Sequence, residues 1–302
     1  MKKLILLFIP IILMHAGCKN WVDDVADNPN LPTEVTPALL LSVSELSMQT
    51  LYTGQLSRTG SILMQHTAGN LFQMRDIRDY NITETSNTNE WTSIYADALV
   101  NQQELINMAG NENPYYRGIA IVLKCMTIGL ATDYWGDIPY SQALNGLSGT
   151  EAGFNPAYDT QESIIAAIQN DLNLAITDLS QPSSANNLLP AADDFIHKGN
   201  ISKWIKAAYM LKIRYANRLS EVDPLGSAND VVAFIAASEI TSNADNTYAI
   251  FGANGNELNP WFSFNTSRDN YIKMGKYFID VMQSTNDPRL PLYAALDEAG
   301  AY

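Results

Sequence analysis

Apolar residues recur along the chain at helical rather than strand spacing, and the pattern is densest between Tyr115 and Thr132. There Ile119, Val122, Leu123, Met126 and Leu130 fall on one face, while Ile121 and Ile128 make the opposite side apolar too. A helix of that kind is enclosed by others. Upstream, Ala38 to Ala68 reads as a helical zone, with a break near Gly54 or Gly60. Trp91, Ile94, Tyr95, Ala98, Leu105 and Ile106 define a helix that pairs with the enclosed one through the Gly110 to Pro114 turn. Downstream, Asp159 with Glu162 reads as a capping box opening a helix that buries Ile165, Ile168, Leu172, Ala175 and Leu179. Asn200 caps the next helix, where Ile201, Trp204, Ala208, Leu211 and Tyr215 share a face and Lys203, Lys206 and Lys212 look outward. Short helices follow at Asn229 to Ser238 and Ile272 to Gln283.

Period-two strands are scarce, so the class is mainly α, and helix pairs of this length predict a stack of helical hairpins. The literal tetratricopeptide consensus is absent. Four long loops interrupt the helices: Gly69 to Asn89, Tyr134 to Tyr158, Gln181 to Gly199 and Glu239 to Tyr271. Loops of that size in a compact domain are functional or disordered, and the first and last carry the aromatics and amides of ordered binding loops.

The enclosed helix ends in Asp133-Tyr134-Trp135-Gly136-Asp137-Ile138-Pro139-Tyr140-Ser141-Gln142-Ala143. Gly136 supplies a turn, Pro139 forbids further helix, and Trp135 and Tyr140 fold back as apolar anchors. Asp133 and Asp137 could ligate a cation, although capping or turn hydrogen bonds explain them more simply. This segment resembles the signature of the SusD/RagB family of surface nutrient-binding lipoproteins. The resemblance extends to Asn28-Pro29-Asn30-Leu31-Pro32-Thr33, to Asn259-Pro260-Trp261 and to Asn286-Asp287-Pro288-Arg289-Leu290. It implies a tetratricopeptide-like helical arrangement with long irregular loops, a glycan or other nutrient as ligand, no enzymatic activity and no cofactor. It also implies a SusC-like TonB-dependent transporter as partner, over which the receptor closes like a lid. Members of the family continue for well over a hundred further residues, so this chain reads as an N-terminal portion. Exposed apolar surface is then expected where the remainder would pack.

The N-terminus supports export. Lys2 and Lys3 precede the apolar run Leu4 to Met14 and then Ala16-Gly17-Cys18, a secretory signal peptide over residues 1–17 with small residues before a cysteine. Cys18 is the expected lipidated N-terminus, with His15 standing where such signals prefer an aliphatic residue. The apolar run is shorter than the roughly 20 residues that span a bilayer. Several acyl chains would hold the protein at a membrane through the anchor alone. Residues 18–37 form the tether and 38–302 the helical domain. Lys19 to Asp24 resembles the acidic leader of surface-exported lipoproteins in the family, which implies display on the outer membrane.

Charge and composition narrow the chemistry. Loss of Lys2 and Lys3 with the leader takes the formal charge from -14 to -16, which argues against nucleic acid and anionic lipid as partners. Cys125 is the only other cysteine, so the mature domain has no intramolecular disulfide, and its apolar setting marks it as a packing residue. Beyond His15, only His66 and His197 remain, too few for a zinc cluster. The chain has no Gly-x-Ser-x-Gly elbow, Walker loop or dinucleotide fingerprint. Acids are numerous enough to form a glycosidase pair by chance, but no feature selects one.

Sugar binding needs flat aromatic faces together with amides, acids and arginines for the hydroxyls. Asn70, Phe72, Gln73, Arg75 and Tyr80 offer these in the first long loop, with Asn81 nearby. Asn259, Trp261 and Arg268 offer them in the last. Trp91 and Trp204, at helical spacing, read as core, and Trp135 and Tyr140 as structural. A peptide-binding member of the same family and a helical-repeat lipoprotein acting as an assembly scaffold are the alternative readings.

Overall fold

The computed structural model describes residues 35–302 except 147, 148, 297, 298 and 301. The expected signal peptide, the expected lipidation site Cys18 and the expected tether up to residue 34 lie outside the described residues. The fold is organised around α6 (Pro114–Trp135), which buries residues on all sides of its axis, Ile119, Ile121, Leu123, Cys125 and Ile128 among them. Asn113 precedes a proline in its first turn, and Gly136 ends it at φ +70°, a left-handed turn that glycine adopts without strain.

Four helices wall α6 in. α5 (Val100–Ala109), reached through the Gly110 turn, runs antiparallel to it, as the Gln102 to Thr127 and Lys124 to Gln103 hydrogen bonds require. On another side α8 (Gln161–Leu179) is antiparallel as well: Arg117 forks onto both oxygens of Asp178 at 2.6 and 2.7 Å, and Gln161 caps the Thr132 carbonyl at the opposite end. The third neighbour is α1 (Pro37–Thr53), whose Tyr52 hydroxyl donates to the Met126 carbonyl. The fourth is α9 (Ile201–Asn217), whose Tyr215 ring lies directly on Gly129. α9 pairs in turn with α8 and with α10 (Pro224–Ser238). The expected stack of antiparallel hairpins is thus the architecture observed.

The remaining elements are short. α2 (Gln55–Leu63) follows α1 after a break at Gly54. After it come β1 (Thr67–Gly69), α3 (Phe72–Arg78), α4 (Thr88–Thr92) and a π-helical turn at Ser93–Leu99 that leads into α5. β2 (Ile138–Pro139), α7 (Glu151–Phe154) and β3 (Tyr158–Asp159) precede α8. α11 (Pro260–Ser267), β4 (Ile272–Met274), α12 (Lys276–Ser284) and α13 (Leu290–Tyr293) follow α10. Among the described residues the strands form two antiparallel pairs, β1 with β4 and β2 with β3.

Several local readings change. Thr160, not Asp159, caps α8 by accepting from the Ser163 amide; Asp159 instead accepts from the Tyr140 and Ser141 amides and the Ser141 hydroxyl. Lys212 does not face solvent. Its ammonium donates to Asn173 Oδ1 at 2.8 Å and lies 4.2 Å from the Phe234 ring, because α10 begins at Pro224, earlier than Asn229, and covers it. Residues 272–274 are strand, so the helix after them starts at Lys276. The long loops 69–89 and 239–271 each contain a helix. Leu225, Val232 and Ile235 of α10 are exposed.

Asp133 to Ala143 has the role of a structural joint. The Asp133 carboxylate pairs with Arg218 at 2.6 Å, and Asp137 accepts from the Gln161 amide at 2.9 Å. Trp135 packs edge-on against Trp91 at 5.4 Å, the Tyr140 hydroxyl donates to Asp171, and the Tyr134 hydroxyl donates to the Leu56 carbonyl of α2.

A second buried network pins residues 193–199 to α1. Asp194 is wholly buried and accepts from the Ile196, His197 and Gly199 amides and the Trp204 indole, which holds its carboxylate below the usual range despite burial. Glu45, also wholly buried, accepts from the Phe195 amide. Burial, with the Asp194 charge beside it, pushes Glu45 up to about 9, so at neutral pH it carries a proton.

Two consequences can be measured. A Cβ at Gly129 would run into the Tyr215 hydroxyl. Gly129→Ala is therefore expected to lower stability by about 1–3 kcal/mol through overpacking, although alanine is the better helix former, as read by urea denaturation. Between 4.5 and 9 the folded state holds a proton on Glu45 that the unfolded state has released, so stability falls as pH rises. His197, which burial pulls down to about 4 from 6.5, acts in the opposite sense below 6.5. The Glu45 effect is best separated between about pH 7 and 8, above the His197 window and below the pH at which the unfolded Cys125 thiol, pushed up by burial in the fold, begins to ionise, at no more than about 1.4 kcal/mol per pH unit. Glu45→Gln is expected to flatten stability across that window in a series of urea titrations.

Candidate functional site

The β1–β4 ladder joins regions some two hundred residues apart in sequence. Thr67 pairs with Met274, Ala68 with Lys273 and Gly69 with Ile272. Asn70 extends the join: its amide donates to the Tyr271 carbonyl at 2.8 Å and its side chain to the Asn270 carbonyl at 3.0 Å. The first and last long loops are thereby held together. Beneath them Ile62, Met74, Ile77 and Phe264 form a small core of their own, with Tyr271 and Ile272 against it.

Above this core lies a cleft of about 550 Å³ between α2, α3, the segment 81–90 and α11. Its wall is polar: Gln55, Arg58 and Thr59 come from α2, Gln73 and Asp76 from α3, Asn81, Asn87, Asn89 and Glu90 from the connecting segment and the start of α4, and Arg268 from the end of α11. Phe264 is the aromatic surface within it, with the Arg58 guanidinium 4.3 Å and the Arg268 guanidinium 4.9 Å from its ring centroid. Arg58 is buried, and dehydration pulls its pKa down, opposed by the nearby Glu90 charge and reinforced by Arg268. A second cleft of about 580 Å³ shares Gln55, Arg58, Asn89 and Glu90 with the first and continues past Ser93 and Asp97 of the π-helical turn.

Of the residues expected from sequence, Gln73 and Arg268 meet in the first cleft, and Asn81, expected beside them, lines it too. The others are distributed elsewhere. Asn70 is a cross-tie between loops, and Asn259 caps α11 by accepting from the Trp261 and Phe262 amides. Phe72 is 61% exposed and stacks on Tyr271 at 5.0 Å, outside the cleft lining. Arg75 is exposed on α3. Tyr80 borders a smaller hollow of about 210 Å³ with Lys276 and Tyr277. Trp261 borders another, with Ile272, Met274 and Leu296. Phe72, the first residue of α3, and Tyr80, just beyond its end, have φ of +46° and +57°, a strained conformation for aromatic residues that clusters at functional segments.

Sequence reasoning missed Arg58 and Phe264. Gln55, Arg58, Thr59 and Ile62 do lie at helical spacing on one stripe of α2. A polar stripe reads as solvated by default, so nothing local marked it as the wall of a cleft.

The family model described as "Starch-binding associating with outer membrane", SusD-like, matches residues 29–302. The chain belongs to the SusD-like family. Among solved structures it is similar to a SusD/RagB family protein from Bacteroides thetaiotaomicron, at 25% identity and a TM-score of 0.73, over 85% of this chain and 53% of that one. A chitin-binding protein matches at 26% identity and a TM-score of 0.69, over 85% and 54% of the two chains. A chitin-binding SusD homolog from Flavobacterium johnsoniae matches at 18% identity and a TM-score of 0.67, over 83% and 53%, which bears on the fold alone. The chain spans about half the length of these structures. No curated protein matches it. The family is one of outer-membrane-associated binding proteins, and among the described residues no helix is long and apolar enough to cross a membrane.

Proposed function

We propose that this chain is the glycan-binding part of a lipid-anchored, non-enzymatic receptor on the outer membrane, and that it passes its ligand to a SusC-like TonB-dependent transporter. The observation that carries the reading is the convergence of two distant loops on one cleft. Amides, acids and arginines surround an aromatic ring there, in a family whose name records starch binding. The similarity to a chitin-binding protein supports a glycan in particular. Lipidation at Cys18 places the receptor at the membrane, as the signal sequence suggests. A scaffold would be better served by a long smooth groove than by loops tied into a lined cleft. A peptide remains the alternative ligand within the same family. Asp76 and Glu90 share the cleft wall, so hydrolysis is tested directly, by looking for product release from polysaccharides.

Calorimetry of the purified chain against starch-derived, chitin-derived and acidic oligosaccharides and a peptide panel is expected to give saturable binding to a glycan. Gln73→Ala removes hydrogen bonds from the cleft and is expected to weaken binding about tenfold, the equivalent of about 1.4 kcal/mol. Trp261→Ala, in a separate hollow, is expected to leave it unchanged. The reverse pattern would move the site to the Trp261 hollow, and binding to peptides alone would replace the glycan.

A further inference from the structure

Arg58 is 8% exposed and stands in the wall shared by the two clefts. Its guanidinium carries five N–H groups but, among the described residues, meets only two acceptors, the Pro260 carbonyl at 3.4 Å and Gln55 Oε1 at 3.2 Å. Nε is buried with no partner. Arg58 belongs to no ion pair among the described residues, unlike Arg117, which is satisfied by Asp178 through two short bonds. Glu90 is near enough to favour the charge without touching it. Burying a guanidinium with donors to spare and no anion in contact is unfavourable, and such groups are ordinarily paired.

Arg268 adds a second cation on the same aromatic ring. It is exposed, and it too has no ion pair among the described residues, its guanidinium donating to the neighbouring Ser267 hydroxyl. Two unpaired arginines converging on one cleft is unexpected in a chain of formal charge -14. A ligand bearing an oxyanion would supply the missing partner, in the planar forked geometry that guanidinium groups select.

We propose that the cleft takes an acidic oligosaccharide, a sugar carboxylate or sulfate being held by Arg58 and Arg268. The inference rests on the receptor reading above and narrows its ligand class. Gln73, Asn87 and Asn89 then serve the hydroxyls, and Asp76 and Glu90 accept from others.

The test is calorimetry of the full chain with oligogalacturonate, the same oligomer as its methyl ester, hyaluronan and chondroitin sulfate oligosaccharides, and neutral malto- and chitooligosaccharides. Esterification removes the charge while keeping the sugar, and the sulfated probe separates sulfate from carboxylate. The expected result is that at least one acidic probe binds at least tenfold tighter than every neutral one, and that the preference weakens with salt. Arg58→Gln should abolish the preference, Arg58→Lys should retain part of it, and Arg268→Gln should reduce it several-fold. Arg268 is exposed, so its variant decides the matter if circular dichroism shows Arg58→Gln unfolded. Neutral oligosaccharides binding as tightly as every acidic probe, or a preference that survives both glutamine variants, would overturn the acidic ligand and leave the receptor intact. Absence of binding to all the oligosaccharides would remove both.

Discussion

A helix that is apolar on every side cannot face water along any stripe, and much of this fold follows from enclosing α6. α1, α5, α8 and α9 each take one sector of its surface, and the pairing directions are fixed by polar ties at both ends, such as Arg117 with Asp178 and Gln161 with the Thr132 carbonyl. Close approach at Gly129 lets Tyr215 lie against the helix, where a larger residue would hold α9 away. The same helix reaches the candidate site indirectly. The hydroxyl of Tyr134, in its last turn, holds the Leu56 carbonyl of α2, and α2 carries Gln55, Arg58 and Thr59 into the cleft wall.

The cleft depends on a second, much smaller device. Two three-residue strands, β1 and β4, would be marginal alone. Here the ladder is extended by the two Asn70 hydrogen bonds and rests on the Ile62, Met74, Ile77 and Phe264 cluster, which buries Phe264 while leaving its ring beside the cleft. The candidate site thus draws on loops, but on loops cross-tied to the helical stack. Arg58 links the two parts: it belongs to α2, packs on Phe264 of α11 and donates to the Pro260 carbonyl.

Legibility in the sequence followed the strength of periodicity. The enclosed helix, the Asn200 cap and the burial of Cys125, Trp204 and Leu172 follow from spacing alone, because dense apolar patterns admit few other arrangements. Lys212 was misassigned because a charge within an amphipathic helix reads as solvent-facing until the neighbour that covers it, α10, is placed. Asp159 was misassigned because one acid near a helix start can cap the helix or a turn, and the β2–β3 pair gives it the turn. At the site, composition identified both loops but not their side-chain roles. Asn70 and Asn259 are spent on backbone hydrogen bonds, which residue type cannot reveal. Arg58 was invisible because what distinguishes it is a buried Nε without an acceptor and a guanidinium without an ion pair among the described residues, and that is a property of three-dimensional packing.

The central claim is that ligand capture is confined to the junction made by the β1–β4 ladder. The most direct measurement is amide hydrogen exchange on the intact chain, read by mass spectrometry with and without a saturating oligosaccharide identified by binding. Added protection confined to residues 70–90, 259–271 and α2 is the result this account predicts. Protection centred on α8 to α10, or spread along the helical stack with the two loops unchanged, would contradict it.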